Sequence, residues 1–114
     1  MSLFSFLFPE PPVYFLQQIT VPALAAGELR DYDQENTLRH YRKFMPFSNI
    51  QLVNTSAVDI EIVLDYSTIR KLLVLAGGTK ALRNQPFSSF SVQNKDAAVA
   101  TAAGDIMIEL ETIR

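Results

Sequence analysis

The sequence has no cysteine, no tryptophan and one histidine, His40. Without cysteine there are no disulfides, thiolate metal sites or cysteine nucleophiles. A single imidazole leaves little for nucleophilic or metal chemistry. No apolar run approaches the roughly 20 residues that span a bilayer. The longest, Leu3-Phe4-Ser5-Phe6-Leu7-Phe8, has no basic stretch before it, and prolines stand where a signal peptide has a small-residue cleavage site. Neither sign of charge dominates: 10 basic and 12 acidic residues leave a formal net charge of −2, which argues against a dedicated nucleic-acid binder.

What remains is a foldable composition, 48% hydrophobic and 19% charged over 114 residues, enough for one domain with its own core. Pro9-Glu10-Pro11-Pro12 follows the apolar tip and predicts a stiff, extended stem. Residues 1–12 therefore read as an arm, with Leu3, Phe4, Phe6, Leu7 and Phe8 as its contact residues, and residues 13–114 as a β-sandwich domain. An apolar tip of this size is costly to leave in water. It packs back over its own core, docks on a neighbouring subunit or enters lipid.

The periodicity of the domain is two. Val58, Ile60, Ile62, Leu64 and Tyr66 alternate with Asp59, Glu61, Val63 and Asp65; Ile106, Ile108 and Leu110 alternate with Met107, Glu109 and Glu111. Each pattern predicts a strand with one wet face. Gln17, Ile19, Val21 and Ile50, Leu52 give weaker versions. Leu72–Ala76 is continuously apolar and reads as a strand covered on both faces or a short buried helix. Residues 28–45 read as a loop followed by a strand over Thr37–Phe44, with a helix as the alternative.

An internal repeat stands out. Pro46-Phe47-Ser48 through Asn54 aligns with Pro86-Phe87-Ser88 through Asn94 in constant register, and Ala23–Gly27 resembles Val74–Gly78. Two similar units of four strands in series predict two Greek keys, hence an all-β, jelly-roll-like sandwich of about eight short antiparallel strands. Gly27, Gly77, Gly78 and Gly104 follow alanine or glycine and are expected at strand corners. Asn54 and Asn94 are expected at the turns that end the repeated strands.

The search for chemistry is negative. His40 lies among Arg39, Arg42 and Lys43, with nothing to set a nucleophile beside it. Asp31, Asp33 and Glu35 space like calcium ligands, but Asn36 stands where that loop needs glycine and Arg42 where it needs glutamate. Gly77-Gly78-Thr79-Lys80 lacks the leading glycine of a P-loop. Glu109 with Glu111, and Asp59 with Glu61, are what wet strand faces present. No catalytic residue, metal ligand or cofactor is expected, and the chain reads as a non-enzyme. Charge is segregated: Arg70, Lys71, Lys80, Arg83 and Lys95 fall in an acid-free stretch, whereas 59–65 and 105–111 hold only acids. These stretches pair within the chain or between copies.

The Leu24-Ala25-Ala26-Gly27 corner, the two Pro-Phe-Ser…Asn strands and the Ala102-Ala103-Gly104-Asp105-Ile106 finish give residues 13–114 an architecture that resembles small single jelly-roll penton or minor capsid proteins of tailless icosahedral, internal-membrane viruses. The resemblance implies a structural virion protein. It would self-assemble as a homo-oligomer, a pentamer or trimer, and would contact other capsid proteins. Its arm would anchor to neighbours or membrane, and its location would be the virion, otherwise the cytoplasm. Cupin enzymes share the double Greek key, but their metal motif needs several histidines. The alternative reading is a ligand- or glycan-binding sandwich, with Tyr14, Tyr32, Tyr41 and Tyr66 in place of the absent tryptophan.

Overall fold

The structure, a computed structural model, describes residues 13–114. The arm expected over residues 1–12, with Leu3, Phe4, Phe6, Leu7 and Phe8, lies outside the described residues. The domain has eight strands: β1 (Tyr14–Thr20), β2 (Leu29–Tyr32), β3 (Asn49–Asn54), β4 (Ile60–Leu64), β5 (Lys71–Val74), β6 (Thr79–Leu82), β7 (Phe90–Asn94) and β8 (Ile106–Ile113). A 3-10 helix spans Arg39–Phe44. The strands form two four-stranded sheets, β1-β8-β3-β6 and β2-β7-β4-β5. Every neighbouring pair is antiparallel.

The alternating patterns place the core. Ile60, Ile62 and Leu64 on β4 and Ile106, Ile108 and Leu110 on β8 are buried, and the residues between them are half-buried on the outer faces. Burying one such side chain contributes about 1.5–3 kcal/mol. Two amphipathic sheets therefore have one good arrangement, apolar face on apolar face.

The pairing is nested. β4 pairs with β5, β3 with β6, β2 with β7 and β1 with β8. The chain is thus one long hairpin, tipped at β4–β5, whose successive strand pairs fall alternately into the two sheets. The repeat seen in the sequence is visible in this order. Replacing β1–β4 by β5–β8, and the reverse, turns β1-β8-β3-β6 into β5-β4-β7-β2, which is the other sheet read backwards. This exchange of the halves swaps the two sheets, so the strand order is symmetric between them. Phe47 and Phe87 correspond under it and exchange both backbone bonds, Phe47 N to Phe87 O at 2.7 Å and Phe87 N to Phe47 O at 3.1 Å.

Four sequence expectations are corrected. The stretch before Thr37 is not all loop, because Leu29–Tyr32 forms β2 and pairs with β7. Thr37–Phe44 is no strand. Leu38 is buried, Tyr41 and Phe44 are half-buried, and their spacing of three is that of a 3-10 helix. The apolar run Leu72–Ala76 is not covered on both faces: β5 is an edge strand, with Leu73 42% and Leu75 56% exposed. Tyr66 leaves the β4 alternation and is exposed, because Asp65 (φ 49°) and Tyr66 (φ 55°) turn the chain left-handed just after β4.

The glycine corners are one turn used three times. Glu28 N bonds Ala25 O at 3.0 Å, Gly78 N bonds Leu75 O at 2.8 Å and Asp105 N bonds Ala102 O at 3.2 Å. The third residue of each is a positive-φ glycine: Gly27 at 72°, Gly77 at 73° and Gly104 at 85°. This is the type II pattern, which needs glycine there. Gly27 therefore corresponds to Gly77, one position off the sequence alignment, which matched it to Gly78. Gly78 plays a different part: a Cβ there would sit 3.0 Å from Leu75 O.

Replacing Gly27 or Gly77 by alanine should cost about 1–2 kcal/mol each, read as a lower urea midpoint with unchanged slope. Equal losses at the two sites would express the symmetry between the halves; a loss at only one would contradict it.

Candidate functional site

The sandwich has two unlike ends. At one end lie the start of β1, the end of β8, the 3-10 helix, the β4–β5 tip and the segment before β7. Val13 pairs there with Arg114 (Val13 N to Arg114 O 2.6 Å, Arg114 N to Val13 O 2.9 Å), so residues 1–12 join the domain at this end. The other end holds the glycine turns and the loops that follow Asn54 and Asn94.

The end where Val13 pairs with Arg114 is built on aromatic rings. Phe15 stacks on Phe44 at 4.2 Å between centroids and meets Tyr41 at 5.4 Å and Phe47 at 6.1 Å. Phe47 meets Phe87 at 5.5 Å, Phe87 meets Phe90 at 6.3 Å, and Phe90 stacks on Tyr32 at 4.8 Å. The series crosses the sandwich from edge strand β1 to edge strand β2. Such pairs contribute about 0.5–1.5 kcal/mol beyond area burial. Sequence reading missed Phe15, although it is in phase with Gln17, Ile19 and Val21. Beside these rings a groove of about 350 Å³ is lined by Pro46, Phe47, Pro86 and Ile113, among others.

The 3-10 helix brings cations to this end. Arg39, His40, Arg42 and Lys43 are all exposed. Arg42 Nε donates to Gln34 O at 2.7 Å, and Lys43 Nζ sits 5.1 Å from the centre of the Phe44 ring. Arg114 donates to Met45 O at 3.2 Å and Lys43 O at 3.4 Å. His40 is a surface residue of this helix. Asp33 is spent on its own turn, accepting from Asn36 N at 2.7 Å, while Asp33 N donates to Thr37 Oγ1 at 2.8 Å. Asp33 alone of the acidic trio holds that loop; Asp31 lies on β2, and the three form no metal set. Among the described residues no three His, Asp or Glu side chains come together as a metal set.

The β4–β5 tip is held open by Asp65. Its Oδ1 accepts from Ser88 N and Ser89 N at 2.9 Å each and from Ser89 Oγ at 3.2 Å, and Oδ2 pairs with Arg70 at 3.3 Å. These bonds fix the left-handed Asp65-Tyr66 step and present Ile69, 88% exposed, at the tip. Desolvation first, then the carboxylates of Asp31 and Asp33, push the Tyr66 hydroxyl above its ordinary pKa.

At the far end the two repeat asparagines do matching work. Asn54 Nδ2 donates to Val58 O at 2.8 Å and Leu75 O at 3.2 Å, and its Oδ1 accepts from Ser56 N at 3.0 Å. Asn94 Nδ2 donates to Val99 O at 2.8 Å and Ala25 O at 3.2 Å, and its Oδ1 accepts from Asp96 N at 2.9 Å. Each closes its own loop and ties it to the glycine turn of the opposite half. The structure thus brings Asn54 together with the Gly77–Gly78 turn, and Asn94 with the Gly27 turn. Gly104 stands apart, beside Thr20.

The remaining carboxylates scatter. Glu61 pairs with Lys95 at 3.9 Å, so with Asp65–Arg70 the segregated charges meet partly inside the chain. Asp59 Oδ1 accepts from Ala76 N at 3.0 Å. Glu109 and Glu111 face outward beside Asn49, Gln51 and Arg83, around a polar cleft of about 150 Å³. Asn49 Nδ2 donates to Glu111. No helix among the described residues is long and apolar enough to cross a membrane. No protein-family model matches the chain, and no curated protein matches it.

Two outcomes are expected. Asp65→Ala should lower stability by about 2 kcal/mol in urea unfolding, because it leaves two backbone amides without their charged acceptor; Asp65→Asn, which keeps a carbonyl there, should lose less. Asp96 accepts from Ala98 N and then Val99 N, and both bonds hold its carboxyl below the ordinary carboxylate pKa. The charged form is the one the fold favours. Its contribution is therefore present above the ordinary value and lost as pH falls through the depressed one. Amide exchange at Ala98 and Val99 should stay slow down to the ordinary carboxylate pKa and quicken only below it.

Proposed function

We propose that this chain is a single jelly-roll structural subunit that self-associates into a closed ring as a capsid component, a penton or minor capsid protein, with residues 1–12 as its anchoring arm. The jelly-roll assignment is supported by the strand order, since four nested antiparallel pairs laid alternately in two sheets are how a long hairpin wraps into that fold. The observation that carries the assembly reading is a pair of apolar flanks. Edge strand β1 exposes Tyr14 (62%) and Leu16 (46%), and edge strand β5 exposes Leu73, with Leu75 exposed just past its end. β5 lies against β6, so β1 belongs to the opposite flank.

Unlike flanks on opposite sides suit a heterologous contact, in which one flank meets the other flank of the next copy. Repeated with a fixed rotation, such a contact closes into a ring. The same exposure on a lone subunit leaves two apolar strand edges open to uncontrolled pairing.

A second reading, a glycan-binding module, is favoured by the polar cleft of Asn49, Gln51, Arg83, Glu109 and Glu111, whose amides, guanidinium and carboxylates could bond sugar hydroxyls.

Light scattering on the purified chain should give a single oligomer, and Leu73→Glu with Leu75→Glu should reduce it to monomer without loss of cooperative melting. A monomer at every concentration, unchanged by the two substitutions, would remove the assembly reading. Chemical-shift changes at Gln51 and Glu109 on adding saccharides would then support the second.

A further inference from the structure

The outer face of the sheet β2-β7-β4-β5 is laid out in rows. Leu29, Gln93, Glu61 and Leu73 lie side by side in one row, and Asp31, Ser91, Val63 and Lys71 in the next. Each row runs from edge strand β2 to edge strand β5. One has leucine at both ends; the other has opposite charges at its two ends. All four end residues are exposed, Leu29 at 48% and Leu73 at 42%. Asp31 and Lys71 make no ion pair among the described residues. Arg30, between Leu29 and Asp31, faces the other way and donates to the Tyr32 hydroxyl at 3.2 Å.

The backbone is open at the same residues. Asn94 N donates to Glu28 O at 3.0 Å, so the β2 residues in phase to bond β7 are Arg30 and Tyr32. Leu64 N donates to Arg70 O at 3.0 Å, so the β5 residues in phase to bond β4 are Leu72 and Val74. The N–H and C=O of Leu29, Asp31, Lys71 and Leu73 point away from the sheet. Among the described residues no turn or loop bond uses them.

We infer that β2 of one copy pairs with β5 of the next, Leu29 opposite Leu73 and Asp31 opposite Lys71, so that this sheet continues from subunit to subunit. This rests on the proposed ring, and it names the strands that join it. Every neighbouring pair in the sheet is antiparallel, so its two edge strands, β2 and β5, are antiparallel to each other as well. A copy set alongside in the same orientation therefore presents β5 antiparallel to β2, the direction in which both matches occur together. Opposite each other, these residues exchange both N–H···O bonds. Apolar and opposite-charge pairs across strands favour that register. Pairing β2 with β2, or β5 with β5, with both positions engaged sets a leucine against a charge, which disfavours a two-fold dimer. The complement of each edge stands on this chain's own other edge, so the occupant is a second copy.

The test is disulfide trapping, which the absence of native cysteine keeps clean. Residues opposite one another in such a pair have Cα atoms about 5.5 Å apart, within disulfide reach. Leu29→Cys mixed with Leu73→Cys and allowed to exchange should give a disulfide-linked pair under mild oxidation, and neither variant should link alone. Within one chain the two positions are three strand spacings apart, about 14 Å, so L29C/L73C should link copy to copy in series. D31K and K71D should each weaken association about tenfold in light scattering, and D31K/K71D should restore it. All of these variants should keep a cooperative melt, since the side chains are exposed. Linkage by L29C alone or L73C alone, mixed variants that stay unlinked, or no rescue by the double reversal would each overturn the pairing and leave the ring. A parent chain that is a monomer at every concentration would remove both.

Discussion

The two sheets are joined through the backbone at Phe47 and Phe87, and the rest of the architecture is arranged around that joint. Each phenylalanine precedes a central strand, β3 in one sheet and β7 in the other. Their reciprocal hydrogen bonds pin the starts of those strands together while both rings are buried in the aromatic series. From this joint β3 and β7 diverge into different sheets. About 20 Å further on, at roughly 3.3 Å per residue, they end on Asn54 and Asn94. Those amides reach across to the opposite half and fix the other end. The two ends of the sandwich are thus fastened by different means, a backbone joint at one and side-chain amides at the other.

Much of this was legible in the residues. The alternation in β4 and β8 is strict because those strands are central in their sheets, with a dry face inward and half-buried Glu61, Val63, Met107, Glu109 and Glu111 outward. The repeat from Pro46 to Asn54 and from Pro86 to Asn94 was legible because both copies meet the same demands: a phenylalanine at the joint and an asparagine whose side chain replaces missing backbone partners. Where reading failed, a second constraint had changed the pattern. β5 reads as doubly buried because its outward residues are leucines, and a leucine left on an edge looks in sequence like one in a core. Leu38, Tyr41 and Phe44 recur every third residue, a period that neither the strand nor the α-helix template matches. Tyr66 continues the β4 alternation on paper, but the bonds that Asp65 accepts outweigh it.

The candidate site was less legible than the fold. The cations of 39–43 are adjacent in sequence, but Arg114 joins them only because β8 returns beside β1. Likewise, nothing local marks Ile69 as sharing an end with Val13. That proximity follows from the nested order of the strands, and the repeat merely hints at it.

That order also bears on when this end of the sandwich is complete. Only the β4–β5 pair is local. Each outer pair closes a longer loop, and β1 finds its partner only in the last strand of the domain. Long-range pairings of this kind are slow to form, and a growing chain cannot make the outermost one until β8 has been synthesised. The 3-10 helix is made early, yet the bonds that Thr112 and Arg114 donate to Phe44 and Met45 wait for the last strand. A partly made chain therefore carries residues 39–44 without the strand that fastens them to the sandwich.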